Sequence, residues 1–217
     1  MADLCEVVRT RRSIRLYHTD RPVPREPVIE ALELAMRAPS SANGQPWHLV
    51  LVSGAARQRL VENLLEAART RRPEIPPCPA ALQDDHFALG AQVYGSFGVA
   101  REDHEARRKA QLFGWQFYGA PLGGIVCMRR ELRHIDSIGV GAFLQTFLLA
   151  LTERGLGTCV EMLIAGFPDV IRRTLKIADE YEILCGVAIG YPVVELPANN
   201  LHIPRHSLDR NVVFIDH

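Results

Sequence analysis

Apolar residues recur at helical spacing in several stretches of the chain. In the clearest, residues 55–70, Leu60 and Leu64 fall on one face while Arg59 and Glu62 fall on the other. A stripe of this kind predicts an amphipathic helix that packs its apolar face on a core. The same spacing predicts further helices over residues 3–12, 26–38, 102–116, 138–154 and 168–176.

The second of these helices has a proline at each end. Pro27 lies in its first turn, where the missing N–H costs little, and Pro39 ends it. Ile29, Leu32 and Met36 share one face of this helix, and we predict that this face packs on the core.

The helix over 138–154 is unusual because it is apolar on nearly every side; it ends at Gly155. Such a helix is buried either in a core or in an interface between subunits. No apolar run in the chain approaches the roughly 18 residues that a membrane-spanning helix needs. We therefore expect a protein that does not enter a membrane.

Short apolar runs predict the strands. The run 48–52 follows Pro46, and we expect it in the middle of a sheet. Further strands are predicted over 123–128 and 183–190, with a terminal strand over 211–215.

The elements alternate irregularly along the chain, and no linker or repeat divides it. We therefore predict a single α+β domain over residues 1–217. The prolines of 73–79 exclude both a helix and a central strand, so this stretch is expected to be a loop or lid.

Composition and charge exclude several classes of protein. Apolar residues make up 47% of the chain and charged residues 23%, which is typical of a globular protein. Lys plus Arg total 25 and Asp plus Glu total 25, so the formal net charge is zero. Without an excess of positive charge we expect no nucleic-acid partner. The N-terminus lacks the pattern of a signal peptide, so we expect a cytoplasmic protein.

Familiar site motifs are absent from the sequence. The five cysteines are scattered, with no C-x-x-C pair, which argues against a disulfide framework or a zinc site. His202 and His206 are four residues apart, but Pro204 between them disfavours the helix that would let both bind one metal. There is no G-x-G-x-x-G and no P-loop, so neither a Rossmann domain nor an NTPase is indicated.

Two polar clusters remain. In Arg11-Arg12-Ser13-Ile14-Arg15, arginines at a helix end complement the helix dipole, but with the hydroxyl they also suit a phosphate. In Pro39-Ser40-Ser41-Ala42-Asn43-Gly44-Gln45-Pro46-Trp47, the polar residues suit a turn before a strand, or equally the lining of a polar ligand site. The residue types alone leave both alternatives open.

Taken in order along the chain, these motifs resemble the nitroreductase family of flavin enzymes. The resemblance continues through Phe117-Tyr118-Gly119-Ala120-Pro121, Gly155-Leu156-Gly157-Thr158-Cys159 and Gly190-Tyr191-Pro192. It covers about residues 5–217 and is greatest to the nitrobenzoate-reductase-like branch. The implied fold is a mostly antiparallel sheet flanked by helices, with a long buried interface helix, a cap over about 70–118 and a C-terminal arm exchanged in a dimer.

The resemblance also implies a cofactor site. Members of the family are homodimers that hold FMN at the subunit interface. By resemblance, Arg11, Arg12, Ser13 and Arg205 contact the phosphate end of FMN, and Arg15 lies near the flavin N1 and C2 carbonyl, where a positive charge tunes the cofactor. A loop of the other subunit contributes Pro39, Ser40, Ser41, Asn43 and Gln45.

Two further parts of the site are assigned less directly. The backbone of Val160, Glu161 and Met162 aligns with a segment that passes the flavin N5 and O4, although the Glu161 side chain is equally compatible with a solvated surface position. Phe113 is the aromatic residue expected to contact a substrate. The pattern departs from the family at Ile203, where a basic residue is common.

The implied activity is that of an FMN-dependent oxidoreductase. NADH or NADPH would give a hydride to the flavin, and an aromatic acceptor such as a nitroarene or quinone would then be reduced in the same place. No protein side chain is assigned as a catalytic acid or base. Two alternatives remain: another flavin reaction on the same fold, such as dehalogenation or dehydrogenation, or FMN binding without catalysis.

Overall fold

A computed structural model describes residues 3–216. Its strands are β1 (Trp47–Ser53), β2 (Leu122–Arg129), β3 (Gly157–Glu161) and β4 (Tyr181–Gly190). They form one sheet in the order β1-β2-β4-β3, with every neighbouring pair antiparallel. The predicted α+β class and the mostly antiparallel sheet are confirmed.

Eight α-helices are described in the same part of the chain, and all six predicted helices are among them. They are α1 (Leu4–Thr10), α2 (Arg25–Ala35), α3 (Gly54–Thr70), α4 (Gln83–Ser96), α5 (His104–Gly114), α6 (Ser137–Glu153), α7 (Pro168–Leu175) and α8 (Leu208–Asn211). The sequence patterns missed α4 and β3.

The core lies in two layers, one on each face of the sheet. Along β2, Ile125 and Cys127 join the layer made with α3 and α7, whereas Val126 and Met128 join the layer made with α2 and α6. This alternation follows from the pleat, which turns successive side chains to opposite faces. Both faces of the sheet are therefore covered by helices.

The apolar face of α2 differs from the predicted one. Its buried residues are Val28, Ala31 and Ala35, while Ile29 and Met36 are 42% and 48% exposed. Because α2 packs on α6, small alanine side chains at the contact allow the two helices to approach closely. Of the three large side chains predicted to face the core, Leu32 packs half-buried against this layer, whereas Ile29 and Met36 point outward.

Two predictions about strands were wrong. The apolar run of β1 was expected in the middle of the sheet, but β1 is an edge strand whose only partner within residues 3–216 is β2. The predicted terminal strand is not formed: α8 covers Asn211, and Val213, Phe214 and Ile215 are non-regular and 76–80% exposed. A strand requires a partner edge, and in the single chain the tail pairs with none of the described strands.

One apolar stretch is longer than the sequence pattern predicted. The helical segment His134–Glu153 is long and apolar enough, by length and composition, to cross a membrane. Seven residues of α6 are nevertheless buried, and six of them belong to the core layer that α6 forms with α2 and the sheet. A core helix of a soluble protein passes the same test, so this segment is weak evidence for a membrane span.

Candidate cofactor site

The arginine-rich segment leaves α1 and is attached to β3. Ser13 forms a parallel bridge with Thr158, and the Ile14 amide donates to the Thr158 carbonyl at 2.9 Å. Ile14 packs directly on Gly157, where an added Cβ would lie 2.7 Å from the Ile14 side chain. The segment is thus fixed against the edge of the sheet, and Gly157 is needed for this close approach.

Asn199, which the sequence analysis missed, holds this segment in place from the other side. Its Oδ1 accepts from the Arg15 amide at 2.7 Å, and its Nδ2 donates to the carbonyls of Leu16 and Val193, each at 2.8 Å. The side chain is 3% exposed. In the sequence it was one of two adjacent asparagines after Pro197, a pattern that ordinarily indicates only a turn.

Two arginines distant in sequence lie near each other at this edge. Burial lowers the pKa of Arg11, and the charge of Arg205 lowers it further. Within residues 3–216, neither Arg11, Arg12 nor Arg205 forms an ion pair with a carboxylate. Like charges brought together without a carboxylate partner suit an anion that carries more than one negative charge, such as the phosphate of FMN.

A cavity of about 300 Å³ lies beside this segment. It is bounded by the end of α1, the end of α6 and the chain after β4. Arg11, Arg12, Thr152, Gly157 and Asn199 are among its lining residues.

The loop 39–45 lies exposed and takes an uncommon backbone conformation. Its φ angles are positive at Ala42 (48°), Asn43 (56°) and Gln45 (46°), and the Gln45 amide donates to the Ser40 Oγ at 3.0 Å. A non-glycine residue in the left-handed region costs about 1 to 2 kcal/mol. Strain of this kind is concentrated at ligand-binding sites.

This loop and the arginine segment lie at opposite ends of α6. Ser40 packs on Gly139 near the start of the helix, whereas Thr152, near its end, lines the cavity with Arg11. At 1.5 Å per residue, the two points are roughly 20 Å apart. The structure therefore does not bring Pro39, Ser40, Ser41, Asn43 and Gln45 together with the arginines of the same chain.

A second strained turn lies near the arginine segment. Phe117 and Tyr118 have φ of 54° and 50°, and Phe117 is fully buried against Gly123. Phe113, at the end of α5, packs edge-to-face on Tyr118 with ring centroids 5.7 Å apart. Of six non-glycine residues with positive φ among those described, five fall in this turn and in the loop 39–45.

The end of β3 places its side chains differently from one expectation. Val160 and Met162 are 38% and 62% exposed, whereas Glu161 is only 5% exposed, so a solvated Glu161 is excluded. The alternation of the strand turns Glu161 toward the α3 layer, where Arg57 lies. Burial raises the pKa of Glu161 well above its usual range, and the charges of Arg15 and Arg57 offset part of that rise.

Buried thiols and the histidine pair are not brought into an obvious reactive arrangement. Burial raises the pKa of the Cys159 thiol to about 12, which keeps it protonated near neutral pH. His206 contacts Asp85 through Nε2 at 3.1 Å and Arg210 through Nδ1 at 2.9 Å.

Comparisons with known proteins agree with this arrangement. A family profile described as "Nitroreductase family" matches residues 8–191. The 4-nitrobenzoate reductase of Nocardioides sp. is 33% identical over 219 residues, covering 96% of this chain and 88% of that protein. Nitroreductase NfnB of Mycolicibacterium smegmatis is 30% identical over 214 residues, covering 96% of this chain and 91% of that protein.

Solved structures support the same assignment. The crystal structure of the FMN-dependent nitroreductase NfnB from Mycobacterium smegmatis in complex with NADPH superposes with a TM-score of 0.90 at 30% identity, covering 98% of this chain and all of that one. An FMN and NADPH-dependent NfnB from a Sphingopyxis strain gives 0.94 at 29% identity, covering both chains completely. On the profile match and the full-length similarity, this chain belongs to the nitroreductase family.

Proposed function

We propose that this protein is an FMN-dependent oxidoreductase that moves a hydride from NADH or NADPH, by way of the flavin, to nitroaromatic or quinone-like acceptors by a ping-pong mechanism. The observation that carries the proposal is that Arg11 and Arg205 lie near enough at the edge of β3 for the charge of Arg205 to lower the pKa of Arg11, while neither has a carboxylate partner among the described residues. Relatives similar over the full chain are named as nitroreductases that depend on FMN and NADPH.

The residues at this edge fit the parts of FMN. Arg11, Arg12, Ser13 and Arg205 would hold the phosphate end, because several guanidinium groups and a hydroxyl complement a doubly charged group. Arg15 would lie near N1 and the C2 carbonyl, and the backbone of Val160, Glu161 and Met162 would pass N5 and O4. Bound FMN supplies the atom, N5, that accepts and donates the hydride.

The second half of the site comes, in this proposal, from another copy of the chain. Because the loop 39–45 lies roughly 20 Å from the arginines of its own chain, a two-fold pairing of α6 helices running in opposite directions would bring the loop of one subunit to the arginines of its partner. The apolar side chains that α1 and α2 leave exposed would be covered in such a homodimer: Leu4, Val8, Ile29 and Met36.

The C-terminal tail would form a second contact between the two subunits. Val213, Phe214 and Ile215 are exposed and apolar, and the outer edge of β1 has no strand partner among residues 3–216. An unpaired edge of a sheet is unfavourable when it is left exposed, and so is an extended apolar segment. We infer that the tail of one subunit pairs with β1 of the other.

Phe113 and the cap over about 70–118 would enclose the acceptor above the flavin. The four-stranded sheet with its two helical layers forms one domain in this proposal. We also place the protein in the cytoplasm, with no membrane or nucleic-acid partner, because α6 packs into the core and the net charge is zero.

Spectroscopy of the purified protein tests the proposed function. We expect a flavin absorbance spectrum, anaerobic bleaching by NADH or NADPH, and return of the colour when a nitroarene is added. A protein that stays colourless after incubation with FMN would contradict the proposal. Bound FMN that neither nicotinamide bleaches would indicate a flavin-binding protein, and turnover with a halotyrosine but not a nitroarene would indicate a dehalogenase.

A further inference from the structure

A carboxyl group without a partner lies behind the proposed flavin site. Glu161 is the last residue of the edge strand β3 and is 5% exposed. Neither of its carboxylate oxygens has a hydrogen-bond partner among residues 3–216, and the Nε of Arg57 is likewise buried without one. Buried polar groups without partners are rare and call for a specific explanation.

The surroundings of Glu161 are rich in ionisable groups. Arg15 approaches from the segment after α1 and Arg57 from α3, where the Arg57 Nη2 donates to the Gln116 carbonyl at 2.7 Å. A Cβ added at Gly114 would lie 3.9 Å from the Glu161 Oε2 and 3.7 Å from the Tyr118 hydroxyl, so these groups share one small space. The ionisable groups around Glu161 are Arg15, Arg57, Tyr17, Tyr118 and Cys159, and Cys185 lies nearby on the opposite face of the sheet.

Only the two arginines among these groups carry charge near neutral pH. Burial raises the pKa of Tyr17, Tyr118 and Cys159, which keeps them neutral. Neither Arg15 nor Arg57 forms an ion pair with Glu161. The pKa of Glu161 therefore depends on two opposing effects: burial raises it, and the charges of Arg15 and Arg57 lower it. A new charge close to Arg15 will change this pKa.

We propose that Glu161 is a positioning residue that shares the charge of Arg15 with the flavin and takes up one proton when the flavin is reduced. This inference rests on the proposed function. A hydride carries two electrons and one proton, so its transfer from the nicotinamide would add one negative charge to a bound flavin, and in the proposed site Arg15 would be the cation nearest to it. A proton from water that binds a Glu161 carboxylate oxygen restores the charge of the site, and Arg15 then faces the flavin alone.

The redox test measures the flavin midpoint potential as a function of pH in the wild type, Glu161→Gln and the control Glu182→Gln. Glu182 is an exposed glutamate of β4. In the wild type and the control we expect a pH interval in which reduction of the flavin is accompanied by uptake of one additional proton by the protein. Within that interval the midpoint potential should depend more steeply on pH than it does outside it. In Glu161→Gln this interval should be absent, and in Arg57→Gln it should lie at higher pH because a charge that lowers the pKa has been removed.

A second test needs no cofactor. Because the folded pKa of Glu161 is raised above its ordinary value of 4.5, its contribution to stability is present below pH 4.5 and is lost as pH rises through the folded pKa. In urea unfolding of the apoprotein, the stability of Glu161→Gln relative to the wild type should therefore increase with pH, by up to about tenfold in the folding equilibrium constant per pH unit.

The outcomes separate this inference from the proposed function. FMN that binds and is reduced with the same proton uptake in the wild type and Glu161→Gln would overturn the inference and leave the proposed function standing. A stability difference that does not change with pH would overturn it as well. A chain that binds no FMN would overturn the proposed function. It would also overturn the inference that Glu161 takes up a proton when the flavin is reduced.

Discussion

The proposed cofactor site draws on the arginine segment 11–15 and the loop 39–45, which are built in opposite ways. The first is attached to its own chain by the Ser13–Thr158 bridge, by the packing of Ile14 on Gly157 and by Asn199. The second is exposed and strained, and its hydrogen bonds are local ones within the loop, among them those from the Gln45 amide to the Ser40 Oγ and from the Gly44 amide to the Ser41 carbonyl.

The difference indicates where each half of the site obtains its order. The arginine segment is fixed within one subunit, so its charges are close together before any ligand binds. The contacts that hold the segment in the folded chain offset the repulsion between these charges. The loop has little of its own chain around it, and strained, exposed residues persist when something else fixes them. In the proposed dimer that role falls to FMN and the partner subunit.

The largest expected effect is at the attachment of the arginine segment. Asn199→Leu would leave the Arg15 amide and the Leu16 and Val193 carbonyls without their partner. We expect a loss of about 3 to 5 kcal/mol in the free energy of unfolding, measured in urea, because buried polar groups without partners are costly. Asn200→Leu, at an exposed neighbour, should cost less than half as much; equal losses would contradict the role given to Asn199.

A smaller effect is expected from removing one charge of the arginine pair. Arg205→Ala should weaken FMN binding by about 1.5 to 3 kcal/mol, roughly 10- to 150-fold in the dissociation constant, since a charged hydrogen bond is lost. Fluorescence titration of the apoprotein with FMN measures this constant. Arg173→Ala, which removes the same charge on α7, should leave it unchanged. An unaltered constant in Arg205→Ala would remove this residue from the site.

The smallest effect concerns the strain of the loop. Ala42 has φ of 48°, which glycine adopts freely, so Ala42→Gly should raise the free energy of unfolding of the apoprotein by about 0.5 to 1 kcal/mol. The same substitution inside α4, Ala91→Gly, should lower it by about 1 kcal/mol. A destabilised Ala42→Gly would mean that the loop is not strained in the free chain.

The sequence predicted where helices and strands occur better than it predicted which elements lie beside one another. Apolar periodicity located α3 and α6 because it reflects local geometry, but it could not distinguish an edge strand from a central one: β1 is flanked by helices on both faces and is apolar for that reason. The tail 211–215 has the composition of a strand, yet a strand depends on a partner edge, and within its own chain the tail pairs with none of the described strands.

The same limit applies to the site. The arginine segment and the loop were proposed for the site because, in order along the chain, they resemble motifs of the nitroreductase family; their residue types alone were equally compatible with a helix end and a turn. Asn199 and Arg57 escaped notice, since nothing in their local sequence separates them from a turn residue and a surface arginine. The burial of Glu161 depends on which layer of the sheet it faces, and β3 itself was not predicted.

The central claim is that one flavin site combines the arginines of one subunit with the loop of the other. Mixed dimers test it directly, using Arg11→Ala/Arg205→Ala in one chain and Asn43→Asp/Gln45→Glu in the other, each with its own affinity tag. Each variant alone should bind FMN weakly. If the halves come from different subunits, the mixed dimer regains wild-type affinity in one of its two sites. If both halves come from the same chain, no site of wild-type affinity returns, and the account is contradicted.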